Sequence, residues 1–474
     1  MAEHKVNRIM IAAPSSGSGK TTITCALLEA LKNRGLDPVS FKCGPDYIDP
    51  LFHKKVLGVE GGNLDIFFSG EEGVRNAVNA CSGYAVAEGM MGIYDGMSAS
   101  SERGSCYEIA SVTDTPILLT VDASGIGRTV ISVIKGVLAD DIRHLIKGII
   151  LNRISERFYR DLKVVLEQEL SGIRSDVRLL GYLPKSSDIA VDSRHLGLML
   201  PGEIEDLHGR ITKAAALLEK NVDIDGLINI MESANAMYCE EDDGLCQSKD
   251  TGLTLAVAYD EAFCFYYREN LNAFEKRGVK IKYFSPLKDV DLPEGTCGIL
   301  LGGGYPENHL DELSSNRSMR ESIKNAIERG IPSLAECGGF MYLHRTIKGT
   351  DGKRHEMAGV FDGDCNYSGH PVRFGYIEIV GAKDKKCEDV LAKSLVGMKG
   401  HEFHYYESTV CGEDFTAKKP YRDKRWECII SRNNGIWGFP HFYYESQPEF
   451  VERFIEKMKD VPKRTVPNGT WMGS

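Results

Sequence analysis

The sequence predicts two consecutive α/β domains, each built on a largely parallel sheet. Three observations carry the prediction. Short apolar runs lack the in/out alternation of a half-exposed strand, helical stretches separate them, and an acidic aperiodic interval near the middle is followed by the same rhythm again. With 474 residues the chain also exceeds the ~300 at which a single core stops growing. Hydrophobic residues at 42%, charged at 26% and aromatic at 9% exclude a disordered or fibrous chain. A net charge of −11 argues against a general nucleic-acid binder and leaves room for a local basic pocket around an anionic ligand. No apolar run approaches the ~18 residues that span a bilayer, and the run at 9–14 is too short for a secretory leader. The expected setting is therefore the cytoplasm, without membrane contact. Thirteen cysteines include no CxxC pair, which signals neither a zinc ribbon nor a redox dithiol.

Residues 6–13 (VNRIMIAA) read as the first strand; a Gly/Ser loop follows, and the apolar spacing over 20–33 predicts a helix stopped by Gly35. Apolar runs at 86–93, 116–121, 145–151 and 177–183 alternate with helical stretches such as 129–138 and 157–171. The pattern lapses at 236–251 (AMYCEEDDGLCQSKDT), so the first domain is assigned to 1–238, a linker to 239–251 and the second domain to 252–474. In the second domain, strands are expected at 253–258, 279–284, 297–302 and 331–335, with helices at 264–277 and 310–329. The end is richer in strands, at 356–362, 372–379, 424–431 and 434–439, before a closing amphipathic helix at 447–459.

Between the first strand and first helix stands Ala13-Pro14-Ser15-Ser16-Gly17-Ser18-Gly19-Lys20-Thr21-Thr22, the context a phosphate-binding loop requires. In such a loop the backbone N–H groups of Ser16 to Thr22 wrap phosphate oxygens, Lys20 reaches the β/γ oxygens, and the Thr21 hydroxyl ligates Mg²⁺. Pro14 departs from the pattern by filling the slot of its first glycine. Mg²⁺ demands further hard oxygens, and Asp46 and Glu88, each at the end of an expected strand, are the candidates. Asp95, in Tyr94-Asp95-Gly96, is a weaker third that equally suits a turn.

Ile331 to Phe340 (IPSLAECGGF) reads as a strand turning sharply into a helix with Cys337 at the turn. Small neighbours permit the strain, and a helix N-terminus is expected to lower the thiol pKa. Acyl transfer on a thiolate needs oxyanion donors and a base. The glycines of Gly302-Gly303-Gly304-Tyr305-Pro306-Glu307, together with Gly338, offer N–H donors; His441, His401 and His404 all stay open as the base.

Taken together, APSSGSGKTT, FKCGPDYIDP, GGGYPE, ECGGFMYL and GHEFHYYES, in that order over about 8–460, resemble the cobyrinate a,c-diamide synthases of the cobalamin pathway and relatives acting on other tetrapyrroles. The resemblance implies a P-loop ATPase domain similar to dethiobiotin synthetase, followed by a class I glutamine amidotransferase domain of flavodoxin-like α/β fold. It implies ATP as co-substrate with Mg²⁺, ammonia from glutamine through a thioester on Cys337 with His441 as base, and an acyl phosphate on the tetrapyrrole carboxylate. It further implies that Asn152 reads the adenine, that Tyr47, Asp49 and Asp95 face the tetrapyrrole, and that the chain forms a homodimer. Two departures stand out: Tyr443 occupies the place of the third triad acid, and Ala335 replaces a glycine before the elbow. Lys42, His53, Lys54 and Lys55 flank the CGPDYIDP segment; they are candidates for a positive field around substrate carboxylates, with solvated surface as the alternative for a Lys-Lys pair. The same chemistry on hydrogenobyrinate or nickel-sirohydrochlorin is the near alternative. A ParA/MinD-like ATPase switch carrying an inactive amidotransferase-like module is the distant one.

Overall fold

The apolar runs of the first half become strands covered on both faces. A computed structural model describes residues 2–98, 100–189, 193–194, 197–198, 207–239, 250–382, 389–432 and 434–461. The chain divides into two compact units, Met1–Asp242 and Asp243–Ser474. Of the expected linker 239–251, residues 240–249 lie outside the described residues.

In the first unit, β1 (Asn7–Ala12), β2 (Pro38–Cys43), β3 (Gly61–Leu64), β4 (Tyr84–Glu88), β5 (Ile117–Asp122), β6 (Ile146–Asn152) and β7 (Arg178–Tyr182) pair in parallel in the order β3-β2-β4-β1-β5-β6-β7. Met10, Ala12, Phe41, Leu119 and Ile149 pack in one core on this sheet. The predicted helices appear as α1 (Lys20–Asn33), α3 (Thr129–Asp140) and α4 (Glu156–Ile173), the last begun by Ser155, whose hydroxyl accepts from Phe158 N at 3.3 Å. A helix the sequence reading did not mark, α2 (Ile66–Asn79), is interrupted at Gly70 (φ 69°), which breaks the apolar period. The reading also left out α5 (Leu207–Asn221) and α6 (Ile224–Glu232).

In the second unit, β8 (Thr254–Ala258), β9 (Lys280–Phe284), β10 (Thr296–Leu301), β11 (Ser333–Glu336), β16 (Ile430–Arg432) and β17 (Gly435–Gly438) form a sheet in the order β9-β8-β10-β11-β17-β16, parallel except for the β16–β17 hairpin. Between β11 and β16 the chain builds a second, antiparallel sheet from β12 (Arg373–Ala382), β13 (Lys399–His404), β14 (Phe415–Lys418) and β15 (Arg425–Cys428), which β18 (His441–Tyr443) completes in the order β15-β14-β12-β13-β18.

Four expectations are corrected here. The helix expected at 264–277 starts only at Arg268, because Phe265 is drawn into a bridge with Gly303. The helix expected at 310–329 is two, Leu310–Ser315 and Arg317–Glu328, divided by Asn316. The strand expected at 356–362 ends at Glu356. The strand expected at 424–431 is cut by Ile429 (φ 67°), so that its halves join different sheets. Among the described residues, no helix is long and apolar enough to cross a membrane.

Candidate functional site

Two clusters gather the chemistry, one in each unit. In the first, β1 delivers the phosphate loop at its carboxyl end and α1 departs from it. Gly17 (φ 75°) and Gly19 (φ 89°) take the left-handed conformations that let successive N–H groups turn inward. At Gly19 a Cβ would also collide with the Asn152 amide nitrogen. That amide clamps the loop: Asn152 Nδ2 donates to Ser18 O at 2.8 Å, and Oδ1 accepts from Arg153 N at 2.9 Å. Arg153 adds a bond from its guanidinium to Gly17 O at 2.8 Å. Ser16 lies exposed at the loop crown, Ser18 donates to Ser15 O at 2.9 Å, and Thr22 is half-buried in the first turn of α1.

Lys20 folds across the loop and donates to Met91 O at 2.6 Å. Burial lowers its pKa, with Glu88 opposing. The Thr21 hydroxyl donates to Glu88 Oε1 at 2.7 Å, and Lys42 Nζ donates to the same oxygen at 2.7 Å while also pairing with Asp49. Burial pushes the Glu88 carboxyl up, but Lys42 more than offsets it and holds the group below its usual range. The other Glu88 oxygen, Oε2, is buried and has no hydrogen-bond partner. Burial raises the Asp46 carboxyl as well, and lifts that of Asp49 to about 8. Lys42 thus meets Glu88 and Asp49, with Asp46 close by, and the unpartnered oxygen of the ionised Glu88 is a hard ligand that suits a divalent cation. Among the described residues, no group of three or more His, Cys, Asp or Glu is arranged to hold a metal ion. The fit of Mg²⁺ therefore rests on Thr21, on the unpartnered Glu88 oxygen and on oxygens brought by a nucleotide.

Tyr47 and Asp49 are buried beside this cluster, at the start of the short helix Ile48–Phe52. Asp95 holds the turn after β4 by accepting from Gly92 N at 2.8 Å. Asp46 accepts from Ile48 N at 2.9 Å. The positive field expected from the flanking bases is largely absent. Lys42 spends its charge on Asp49 and Glu88, and His53 is buried between Ser40 Oγ (2.6 Å) and Cys25 Sγ (3.5 Å), its pKa lowered by burial to about 4. Only Lys54 and Lys55 are exposed, and Lys54 already meets Glu60 at 3.0 Å.

In the second unit Cys337 stands between β11 and the helix Gly338–Leu343 with φ 47° and ψ −104°, a strained conformation for a residue with a Cβ. Its N–H donates to Gly438 O at 2.9 Å, which fixes the turn to the end of β17. The Gly302–Gly304 loop lies against it: Gly339 N donates to Gly302 O at 2.9 Å, and a Cβ on Gly338 would stand 3.2 Å from Gly304 N. His441 follows β17 at the start of β18 and packs over Gly303, where any Cβ would collide with the imidazole. Its ring stacks on His401, with centroids 4.9 Å apart.

The resting thiol is not the lowered one the helix terminus promised. Burial pushes it up and Glu307 adds to the rise, more than the Gly338 N–H returns. A thiolate mechanism therefore needs a proton acceptor, and the three candidate histidines sit in different surroundings. His401 bonds to the Tyr267 hydroxyl at 3.2 Å, and burial lowers its pKa to about 3. His404 is held by Tyr406 O at 2.7 Å and stacks on Phe439. His441 packs over Gly303, with its Nδ1 4.0 Å from Glu336 Oε2, on the residue before Cys337. A cavity of about 200 Å³ has Arg373, Glu402, His404, Trp426 and Pro440 in its wall. Cys337 does not line it; its Sγ lies 3.9 Å from the carbonyl of Phe403, the residue between Glu402 and His404.

Sequence reasoning missed Lys42 as the hub of the first cluster, and Glu336, Glu402 and Tyr444 in the second. A lone carboxylate closing an otherwise uncharged strand, as Glu336 closes Ser333-Leu334-Ala335, was the available signal for one of them.

Comparison with known proteins places both halves. Residues 9–198 match the family model of the CobQ/CobB/MinD/ParA nucleotide binding domain, and residues 254–444 that of the CobB/CobQ-like glutamine amidotransferase domain. The cobyrinate a,c-diamide synthase of Caldanaerobacter subterraneus subsp. tengcongensis is 38% identical over 462 residues, covering 96% of this chain and 99% of the relative. That of Clostridium acetobutylicum is 37% identical over 454 residues, covering 94% and 99%. That of Clostridium tetani is 38% identical over 456 residues, covering 95% and 99%.

Proposed function

The chain belongs to the cobyrinate a,c-diamide synthase family, and from that premise we propose that it amidates the a- and c-side-chain carboxylates of cobyrinate with ATP and glutamine. The observation that carries this reading is that one chain holds both a phosphate loop beside an unpartnered buried carboxylate oxygen and a cysteine in a strained elbow beside a buried histidine.

In the first unit, the loop N–H groups and Lys20 hold the ATP phosphates while a side-chain carboxylate of the tetrapyrrole attacks the γ-phosphorus. The carboxylate gains a phosphoryl group and ADP leaves; ammonia then attacks the acyl carbon, the C–O bond to phosphate breaks, and phosphate departs as the nitrogen gives up a proton. Thr21 and Glu88, with Asp46 near, are the residues that would hold Mg²⁺, which when bound neutralises charge developing on the phosphate oxygens. Lys42 keeps Glu88 ionised and Asp49 in place. Asn152 and Arg153 keep the loop closed around its anion.

In the second unit, His441 takes the Cys337 proton as sulfur attacks the side-chain amide carbon of glutamine. The N–H groups of Gly303, Gly304 and Gly338 meet the developing oxyanion. The C–N bond breaks, the histidine returns its proton to the leaving ammonia, and water then frees glutamate from the thioester. The cavity walled by Arg373 and Glu402 suits glutamine, since the two offer one charge of each sign for its α-carboxylate and α-ammonium.

Cys337→Ala tests the division of labour. Glutamine-dependent turnover should fall by at least about 10³-fold, while high ammonium still supports amide formation on the tetrapyrrole, read by mass. Failure of ammonium to rescue a folded variant refutes the reading.

A further inference from the structure

The elbow and His441 raise a problem that the sequence states openly: Tyr443 stands where a third acid would orient the histidine. Without such an acid the imidazole has no fixed tautomer, and the imidazolium formed during proton transfer has no counter-charge in a buried site. The fold brings a carboxylate to that point from elsewhere. Glu336, at the end of β11, is 6% exposed. Its Oε1 accepts from the Tyr444 hydroxyl at 2.7 Å, the Phe442 N–H also bonds to the carboxylate, and Oε2 lies 4.0 Å from His441 Nδ1. Three residues of β18 and its continuation, 441, 442 and 444, thus converge on one side chain.

We propose that Glu336 is the positioning residue of His441, filling from the residue before the nucleophile the role left empty at 443. This inference rests on the reading of Cys337 and His441 as a glutaminase. With Nδ1–H directed at Glu336, Nε2 is the nitrogen that receives the thiol proton. The ring is confined on one side by Gly303 and on its face by His401. A gap of 4.0 Å exceeds a hydrogen bond, and such contacts tighten when substrate closes the site. The groups that face the carboxylate are Tyr444, Tyr266, His441 and Cys337, with His401 and His404 beyond the imidazole. None is a permanent cation, so the charge formed on His441 is the one Glu336 meets. Burial pushes the Glu336 carboxyl up to about 8, and the Tyr444 hydroxyl pulls against this. If the ionised form is the working one, the glutaminase rate rises with pH through this group and falls as pH drops below it.

The test is steady-state glutaminase kinetics from pH 6 to 9.5 on the full chain, with Cys337→Ala, Glu336→Gln and Tyr444→Phe. Glu336→Gln keeps an acceptor for Nδ1–H and loses the charge. Its kcat is expected to fall about 10²-fold with the glutamine KM within about twofold, and its acid limb to flatten. Tyr444→Phe removes only the hydroxyl that favours the carboxylate, so its acid limb moves to higher pH with a loss in kcat of about 3- to 10-fold. The melting temperature and the glutamine KM report whether each variant is folded. A wild-type kcat and pH profile in Glu336→Gln overturn the proposal, as does an unmoved acid limb in Tyr444→Phe should Glu336→Gln fail to fold. Glutaminase activity surviving in Cys337→Ala refutes the underlying reading and the inference with it. Activity lost in Cys337→Ala but unaltered in the other two refutes the inference alone.

Discussion

Lys20 and Thr21 are neighbours in sequence with separate tasks, one crossing the loop toward Met91 O and the other reaching Glu88. In the proposed mechanism the loop lysine and the Thr21–Glu88 pair both act on phosphoryl transfer, before any nitrogen is used. Lys20→Ala and Glu88→Gln should therefore cost about 10²- to 10³-fold in kcat with glutamine and with ammonium alike. Equal loss with both nitrogen sources is the signature; full ammonium-driven activity in Lys20→Ala contradicts the loop's assignment. His53 gives a pH prediction. Burial sets its folded pKa at about 4, below the 6.5 of a free imidazole, so the unfolded chain takes up the proton first. The stability that the neutral ring contributes is complete above about pH 6.5 and drains away as pH falls toward 4, by a total on the order of 3 kcal/mol. Urea titrations of wild type and His53→Gln at several pH values should show a wild-type advantage that shrinks over that window.

Asn316 shows how one side chain divides a helix. Its Oδ1 accepts from Met319 N at 3.3 Å, capping Arg317–Glu328, while Nδ2 donates to Pro286 O at 2.9 Å and Asp289 O at 2.8 Å. Asn316→Ala loses the cap and leaves two carbonyls without their donor, which should cost about 1–2 kcal/mol, visible as a lower melting temperature of the second unit with the P-loop activity unchanged. The helical period of 310–329 runs through this position, so the sequence shows the helix and hides its division. Ile429 is the same lesson in a strand. Periodicity marks 424–431 as extended, but only the φ of 67° hands the chain from β15 to β16 and from one sheet to the other. What was legible is local: the phosphate loop and the Cys337 turn each lie within ten residues of chain, and their spacing carries their geometry. What was illegible is convergent. Glu336 acquires its meaning from Tyr444 and His441, and Lys42 from Glu88, contacts that pairing across the sheets creates.

For the molecule as a whole, a net charge of −11 opposes a polyanionic substrate at long range, and with Lys42 committed and His53 neutral only Lys54 and Lys55 remain of the expected basic group. Reversing both to Glu should raise the tetrapyrrole KM roughly tenfold at low ionic strength and far less at high salt, with the glutamine KM unaltered, since screening acts over ~8–10 Å. An unchanged tetrapyrrole KM at low salt means the anion is met elsewhere. The pairing of β11 with β17 has a further consequence, in time. Trp437 Nε1 reaches Ser333 Oγ across 104 residues of chain, and all strands of the antiparallel sheet but β18 lie inside that span. The strand that leads into Cys337 therefore emerges from synthesis long before the strand that fixes its turn or His441, its proposed proton acceptor. At ~5–20 residues per second this leaves Cys337 an ordinary thiol for several seconds of every chain's birth. Closing so long a loop is slow, so on refolding from urea nucleotide binding should return well before glutaminase activity.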